Sequence, residues 1–188
     1  MSQILAFAGS TRRGSLNKKL LEAAANRVRA AGATVNVVDL LDYPMPLYDG
    51  DLEEADGVPE PAVRLKRLMI EHDGLLLACP EYNSSITPLL KNTIDWVSRR
   101  QDGEPPLAAY RGKVAALLSA SPGGFGGMRG LVTVRSILSS IGVLVLPTQV
   151  SAGSASAAFD EEGNVTDEGL SKRLDALAKE LVKWSPKP

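Results

Sequence analysis

The chain has 188 residues, 44% hydrophobic and 23% charged, which is enough for one complete domain with a sizeable core and short for two. Lys plus Arg number 21 and Asp plus Glu 22, a formal net charge of −1; this near-balance argues against nucleic acid or an anionic membrane as the main partner, since both favour basic surfaces. The single cysteine, Cys79, excludes an intrachain disulfide and suits a reducing compartment.

Met1-Ser2-Gln3 leads straight into the apolar run Ile4–Ala8, without the basic start and longer apolar region of a signal peptide. No stretch reaches the roughly 20 apolar residues of a membrane span, so the expectation is a cytoplasmic protein. A helix is predicted from near Ser15, with Leu16, Leu20, Ala24, Val28 and Ala31 on one stripe, stopping at Gly32. The second run, Val35–Val38, carries Asn36 in its middle and suits the edge of a sheet. A long loop rich in Pro, Asp and Glu, Leu40 to Val58, precedes a second helix after Pro59 and Pro61, with Leu65, Leu68 and Met69. Run three is Leu75–Cys79, and Thr87-Pro88 opens a third helix as capping residue and proline at the first helical position. Leu90, Ile94 and Val97 form its stripe, while Leu89 and Trp96 extend apolar character to another face. A helix apolar on several sides is buried on several sides, so a subunit contact is expected near Leu89 and Trp96. Run four is Val114–Leu118, followed near Gly130 by a helix with Val134, Ile137, Leu138 and Ile141. Run five, Val143–Leu146, leads through a loop from Ser151 to Asp167 to a last helix carrying Leu170, Leu174, Leu177, Leu181 and Val182.

Four of the five runs are almost continuously apolar, as strands buried on both faces should be. Strand and helix alternating in this way predict one α/β domain over residues 1–188, a parallel sheet with helices on both faces. In such sheets ligands sit beyond the carboxyl ends of the strands, where strand order reverses. The chemistry is therefore expected just after runs one, three and four.

After run one comes Gly9-Ser10-Thr11-Arg12-Arg13-Gly14-Ser15-Leu16-Asn17. Glycines, hydroxyls and arginines at a helix N-terminus make an anion site, because free N–H groups and the helix dipole favour phosphate. An ordinary turn with Ser15 as N-cap is the plainer alternative. Gly9 and Gly14 have P-loop spacing, but Ser15-Leu16 stands where that motif needs Lys and then Ser or Thr. The dinucleotide fingerprint fails as well, because Thr11 occupies its second glycine position. A site for a terminal monophosphate remains. Run three ends in Cys79-Pro80-Glu81-Tyr82-Asn83-Ser84-Ser85-Ile86-Thr87-Pro88, where Tyr82 and exposed backbone groups suit the border of a flat heteroaromatic ring. Run four ends in Ser119-Ala120-Ser121-Pro122-Gly123-Gly124-Phe125-Gly126-Gly127, whose glycines let backbone approach a flat ligand closely.

Those three segments, together with the continuation Leu89-Leu90-Lys91-Asn92-Thr93-Ile94-Asp95-Trp96, resemble in order and spacing the NADPH-dependent FMN reductase family, which includes quinone, chromate and azo reductases. The likeness spans roughly residues 3 to 150. It implies a flavodoxin-like three-layer sandwich with sheet order 2-1-3-4-5, non-covalently bound FMN, NADPH or NADH as co-substrate, and homodimers or homotetramers. By the resemblance Ser10, Arg12, Ser15, Leu16 and Asn17 meet the FMN phosphate. Pro80, Glu81, Tyr82, Asn83 and Ser84 border the ring and ribityl chain, and Ser119, Ser121, Gly123 and Gly124 lie at the other edge of the ring.

The implied activity is hydride transfer from NAD(P)H through FMN to a small acceptor such as a quinone, free flavin, azo or nitro compound, or chromate. No proton-transferring side chain is required of the protein, and no catalytic residue is assigned. An electron-transfer flavodoxin and a flavin-dependent sensor are the alternatives; the balanced charge and the Trp96 face count against the first. His72, at a helix end, and Cys79, ending a buried strand, read as structural, and neither has partners at metal-ligand spacing. Lys91 and Asp95 read as a helix-surface ion pair, and Arg129 is left between a nicotinamide phosphate and a neighbouring subunit.

Overall fold

The computed structural model describes residues 1–101 and 103–185. In chain order its elements are β1 (Gln3–Ala8), α1 (Leu16–Ala30), β2 (Thr34–Val38), α2 (Gly50–Asp56), α3 (Glu60–Glu71), β3 (Gly74–Ala78), β4 (Glu81–Tyr82), β5 (Ser85–Ile86), α4 (Pro88–Val97), β6 (Val114–Ala120), α5 (Met128–Ser140), β7 (Leu144–Ala152) and α6 (Glu168–Trp184). The main sheet runs β2-β1-β3-β6-β7, and every pairing in it is parallel. With the β4–β5 hairpin set aside, this is the expected order 2-1-3-4-5.

Alternation along the central strands builds two cores. Ile4, Ala6, Ala8, Leu76 and Leu118 point to the side covered by α1 and α6. Leu5, Phe7, Leu75, Leu77 and Leu117 point to the side covered by α3, α4 and α5. The amphipathic helices supply the outer layers: Leu20, Ala24 and Val28 of α1 are fully buried, as are Leu174, Leu177 and Leu181 of α6. Each removes apolar area from water at about 25 cal/mol per Å², which is why the stripes rather than helix propensity place these segments. Asn36 lies on β2, an edge strand as expected.

Three local features depart from the expectations. Strand β7 continues to Ala152 instead of stopping at Leu146. Its register against β6 shifts between Ala115 and Leu117, in a segment where Pro147 has no N–H to give a ladder, a combination tolerated at edges and bulges. Within the expected 40–58 loop, α2 forms with Asp49 accepting from Asp51 N–H at its N-terminus, yet it buries no residue. The rest of that loop is a strap over α4. Trp96 Nε1 and Asn92 Nδ2 both donate to Pro46 O at 2.8 Å, and the Tyr48 ring meets Trp96 edge-on at 4.9 Å. Trp96 is therefore 0% exposed within one chain. The expectation of a subunit contact near Leu89 and Trp96 takes the second apolar face as a sign of a partner; Trp96 is covered by the chain's own strap, while Leu89 stays partly exposed.

Candidate functional site

Strands β1, β3 and β6 are adjacent, so the segments after them meet at one end of the sheet. Gly9 admits this convergence, because a Cβ there would lie 2.9 Å from Leu90 Cβ and 3.3 Å from Pro80 Cδ. Thr87 secures the junction: its hydroxyl donates to Gly9 O at 3.0 Å and accepts from Leu90 N–H at 3.3 Å, capping α4. Ser15 caps α1, accepting from Lys18 N–H at 3.4 Å. By helix geometry the first-turn N–H groups of Leu16 and Asn17 have no intrahelical acceptor, and the helix dipole adds positive potential there. Arg12 and Arg13 are exposed, and among the described residues neither forms an ion pair.

A cavity of about 230 Å³ opens at this end of the sheet. Its first wall is Ser10, Arg12 and the Ser15–Asn17 turn; its second is Pro80, Glu81 and Tyr82; its third is Ala120, Ser121 and Pro122. Nine of the fourteen residues singled out in the sequence are thus brought together. Tyr82 is 59% exposed, its ring standing at the rim.

The other five sit differently. Asn83 and Ser84 form the hairpin turn at φ 50° and 66°, exposed and away from the wall. Gly123 and Gly124 continue the third wall outward and are exposed; Gly123 N–H donates to Ser121 Oγ at 3.1 Å. Ser119 is 0% exposed, and its Oγ has no partner among the described residues. It faces Gly127 from behind the loop, so close that a Cβ on Gly127 would collide with its hydroxyl.

Two wall residues use their polar atoms within the protein. Asn17 Nδ2 donates to Ala120 O at 2.9 Å, and its Oδ1 accepts from Ala120 N–H at 3.0 Å; one amide hydrogen remains for a ligand. Glu81 Oε2 accepts from Gly130 N–H at 2.9 Å and Oε1 from Arg129 Nε at 3.2 Å. The glycine-rich segment likewise serves packing as much as approach. A Cβ on Gly126 would lie 2.6 Å from Ala152 C and Gly153 N, and one on Gly153 would collide with Gly124 O, so the segment packs backbone to backbone on the end of β7. Sequence reasoning missed Thr87 as a clamp on Gly9 and Glu81 as a cap on α5. The Thr-Pro pair signalled the first; nothing local signalled the second.

The remaining singled-out residues read plainly. Cys79 is fully buried and burial pushes its thiol pKa upward. His72 ends α3 with Nδ1 2.6 Å from Leu68 O. Lys91 and Asp95 pair at 2.8 Å on the surface of α4. Arg129 pairs with Glu81 and lies 5.0 Å over the Phe125 ring.

The donor set therefore combines hydroxyls, an unpaired guanidinium and helix N-terminal amides, with its one carboxylate already engaged. That is the chemistry of a phosphate monoester site beside an aromatic rim. The sequence profile described as NADPH-dependent FMN reductase matches residues 2–157. The chain belongs to the NADPH-dependent FMN reductase family. It is 35% identical over 183 residues to an NAD(P)H-dependent FMN reductase of Pseudomonas aeruginosa, covering 97% of this chain and 94% of that one. It is 36% identical over 181 residues to a potato (Solanum tuberosum) NAD(P)H:quinone oxidoreductase, covering 93% of this chain and 88% of that one. Among solved structures, the flavoenzyme NAD(P)H:(acceptor) oxidoreductase of Paracoccus denitrificans superposes with a TM-score of 0.83 at 28% identity, over 98% of this chain and 97% of that one.

Proposed function

We propose that the protein is an FMN-dependent NAD(P)H oxidoreductase whose flavin occupies the cavity between the loops after β1, β3 and β6. The observation that carries this reading is the convergence of an unpaired Arg12, the Ser10 and Ser15 hydroxyls and the start of α1 on one cavity wall, opposite the exposed Tyr82. Ser10, Arg12, Ser15 and the first-turn amides of Leu16 and Asn17 hold the phosphate, while Pro80, Glu81 and Tyr82 border the ring. Ser121 and the exposed backbone of Gly123 and Gly124 line its other edge, and Asn83 and Ser84 shape the turn carrying Tyr82. Bound FMN supplies hydride acceptance and release. The net reaction is NAD(P)H plus H⁺ plus a quinone or similar two-electron acceptor giving NAD(P)⁺ and the reduced acceptor. The chain's part is to anchor the phosphate, keep one ring face open and hold the walls at a fixed spacing.

Location in the cytoplasm fits the single, buried cysteine. Assembly into a homodimer or homotetramer fits the exposed apolar side chains Met128 and Val132, one turn apart on α5 and hence neighbours on its surface, since contiguous apolar surface marks contacts. The deciding experiment is the visible spectrum of purified protein after FMN addition and desalting, then after anaerobic NADPH. A retained flavin band that bleaches supports cofactor and donor together. A band that stays with both NADPH and NADH points to a carrier or sensor, and no retained flavin overturns the assignment.

A further inference from the structure

The β4–β5 hairpin that presents Tyr82 has only two residue pairs, Glu81–Ile86 and Tyr82–Ser85. A ribbon this short is not stable alone in water. Its turn is also strained at Ser84, which adopts φ 66° where glycine is preferred, after Asn83 at φ 50°, a residue that tolerates that region. Helix α5 has the complementary deficit. Its N-cap is Gly127, which offers no side-chain acceptor, although the first-turn N–H groups need one.

Glu81 resolves both. From a sequence distance of 49 residues its Oε2 accepts from Gly130 N–H at 2.9 Å, in the first turn of α5, where a carboxylate is also favoured by the dipole. Gly130 permits the approach, because a Cβ there would lie 3.2 Å from both Glu81 Cβ and Ser85 O. The other carboxylate oxygen holds Arg129, whose guanidinium carbon stands 5.0 Å over the Phe125 ring at the tip of the glycine-rich loop. The Glu81 side chain is 10% exposed and that of Arg129 56%, so the first contact is sheltered and the second is open to solvent.

We infer that Glu81, through Gly130 and Arg129, is a positioning residue that sets the gap between the Tyr82 hairpin and the glycine-rich loop, and so governs how tightly FMN is held. This rests on the flavin reading of the cavity given above. Releasing the carboxylate leaves the base of the hairpin held by Ile86 packing and the Thr87–Gly9 bond, but frees its Tyr82 end and strained turn, and the competent arrangement becomes one of several. Apparent affinity then falls in proportion to the competent fraction. Arg129 contributes less, because its pair is exposed and screened.

The test uses the full chain freed of flavin, as wild type, Glu81→Gln, Glu81→Ala and Arg129→Met. FMN binding is followed by quenching of flavin fluorescence, and hydrogen exchange is followed at the first-turn amides of α5 without ligand. Glu81→Ala is expected to weaken FMN binding about tenfold and to speed exchange at Gly130. Glu81→Gln keeps a neutral acceptor and is expected to recover part of both losses, while Arg129→Met weakens binding about twofold. Arg129→Met leaves the cap on α5 intact, so it reports even if Glu81→Ala fails to fold. Unchanged FMN affinity in Glu81→Gln and Arg129→Met, with wild type binding normally, overturns the inference even if melting temperatures drop. A wild-type protein that binds no FMN overturns instead the flavin reading on which the inference stands.

Discussion

The side chain of Asn17 and the peptide groups of Ala120 exchange two hydrogen bonds, 2.9 and 3.0 Å, across a sequence distance of 103 residues. This staples the first turn of α1 to the end of β6, and so the wall proposed to bind phosphate to the glycine-rich wall. Asn17→Ala leaves a buried N–H and a buried C=O unpaired, at about 1–3 kcal/mol for each group not reached by water. The urea midpoint is expected to fall without a change in m-value. Asn17→Asp should be as harmful, since it keeps the acceptor for Ala120 N–H but sets a carboxylate against Ala120 O and beside the phosphate site. Stability of either variant equal to wild type would remove the staple from the account.

Two glycines of the site should respond oppositely to alanine. Gly127 has φ 80°, and an added Cβ would collide with Ser119 Oγ, so Gly127→Ala combines backbone strain with a steric clash and should cost about 2–4 kcal/mol. Around Gly14 nothing lies within 4 Å of an added Cβ and φ is not positive. Gly14→Ala is expected to be neutral or stabilising by up to about 1 kcal/mol through the unfolded chain. Thermal unfolding of the two variants side by side decides it, and a larger loss at Gly14 would contradict the geometry.

How much of this was legible in the sequence follows from where each element sits. Strands β1, β3 and β6 are buried on both faces and announce themselves as apolar runs, and the helix stripes follow from one-sided burial. Strand β7 was read short because the bulge around Pro147 interrupts its apolar run, and beyond it only alternate residues, Val150 and Ala152, are buried. Helix α2 buries nothing, so it has no periodicity to find; only its Asp49 cap was there to read. The apolar faces of α4 gave the burial of Trp96 correctly but not its cover, because a strap and a second subunit exclude water equally well. At the site, residue chemistry marked the three loops, and the family resemblance singled out nine of the wall residues. Neither could show that Glu81 and Asn17 use polar atoms on Gly130 and Ala120, partners that become neighbours only through the fold.

Acid should erode stability partly through Asp39, which pairs with Lys18 at the end of β2. Burial pushes its pKa up, but the Lys18 hydrogen bond, the Leu41 N–H and the Lys18 charge outweigh that, leaving it below the ordinary value of 3.8. A carboxylate with a lowered folded pKa contributes stability that is present above its unfolded value and lost as pH falls through the folded one. The contribution is therefore whole at neutral pH and lost below about pH 4. Asp39→Asn should flatten this part of the pH–stability curve and lower the neutral plateau slightly, the pair being partly solvent-screened. Parallel curves for variant and wild type through that region would refute the assignment.

Cys79 should be inert in the folded protein. Its side chain is fully buried, with Sγ 3.6 Å from Leu77 O, and burial alone raises its pKa, so the nucleophilic thiolate is absent at neutral pH. Iodoacetamide at pH 8 is expected to label the protein only in denaturant, and Cys79→Ala or Cys79→Ser should retain flavin binding. Native-state labelling faster than global unfolding would show that the end of β3 opens locally.

Arg12 offers the most direct test of the phosphate assignment, because it lines the cavity while its neighbour Arg13 does not. Both are exposed, and among the described residues neither is held in an ion pair, so removing either charge should leave the fold stable. A charge-assisted bond to phosphate is worth about 1.5–3 kcal/mol, which corresponds to a tenfold or greater loss of FMN affinity in Arg12→Met. Arg13→Met acts only through the long-range field, so its smaller effect should fade as salt is raised past the Debye screening range. Riboflavin has the same ring and ribityl chain but no phosphate, which makes it the internal control. Arg12→Met should bind riboflavin as wild type does and lose only the preference for FMN. An equal loss for both ligands would mean that Arg12 shapes the cavity rather than reading the phosphate, and would shift that role to the amides and hydroxyls at the start of α1.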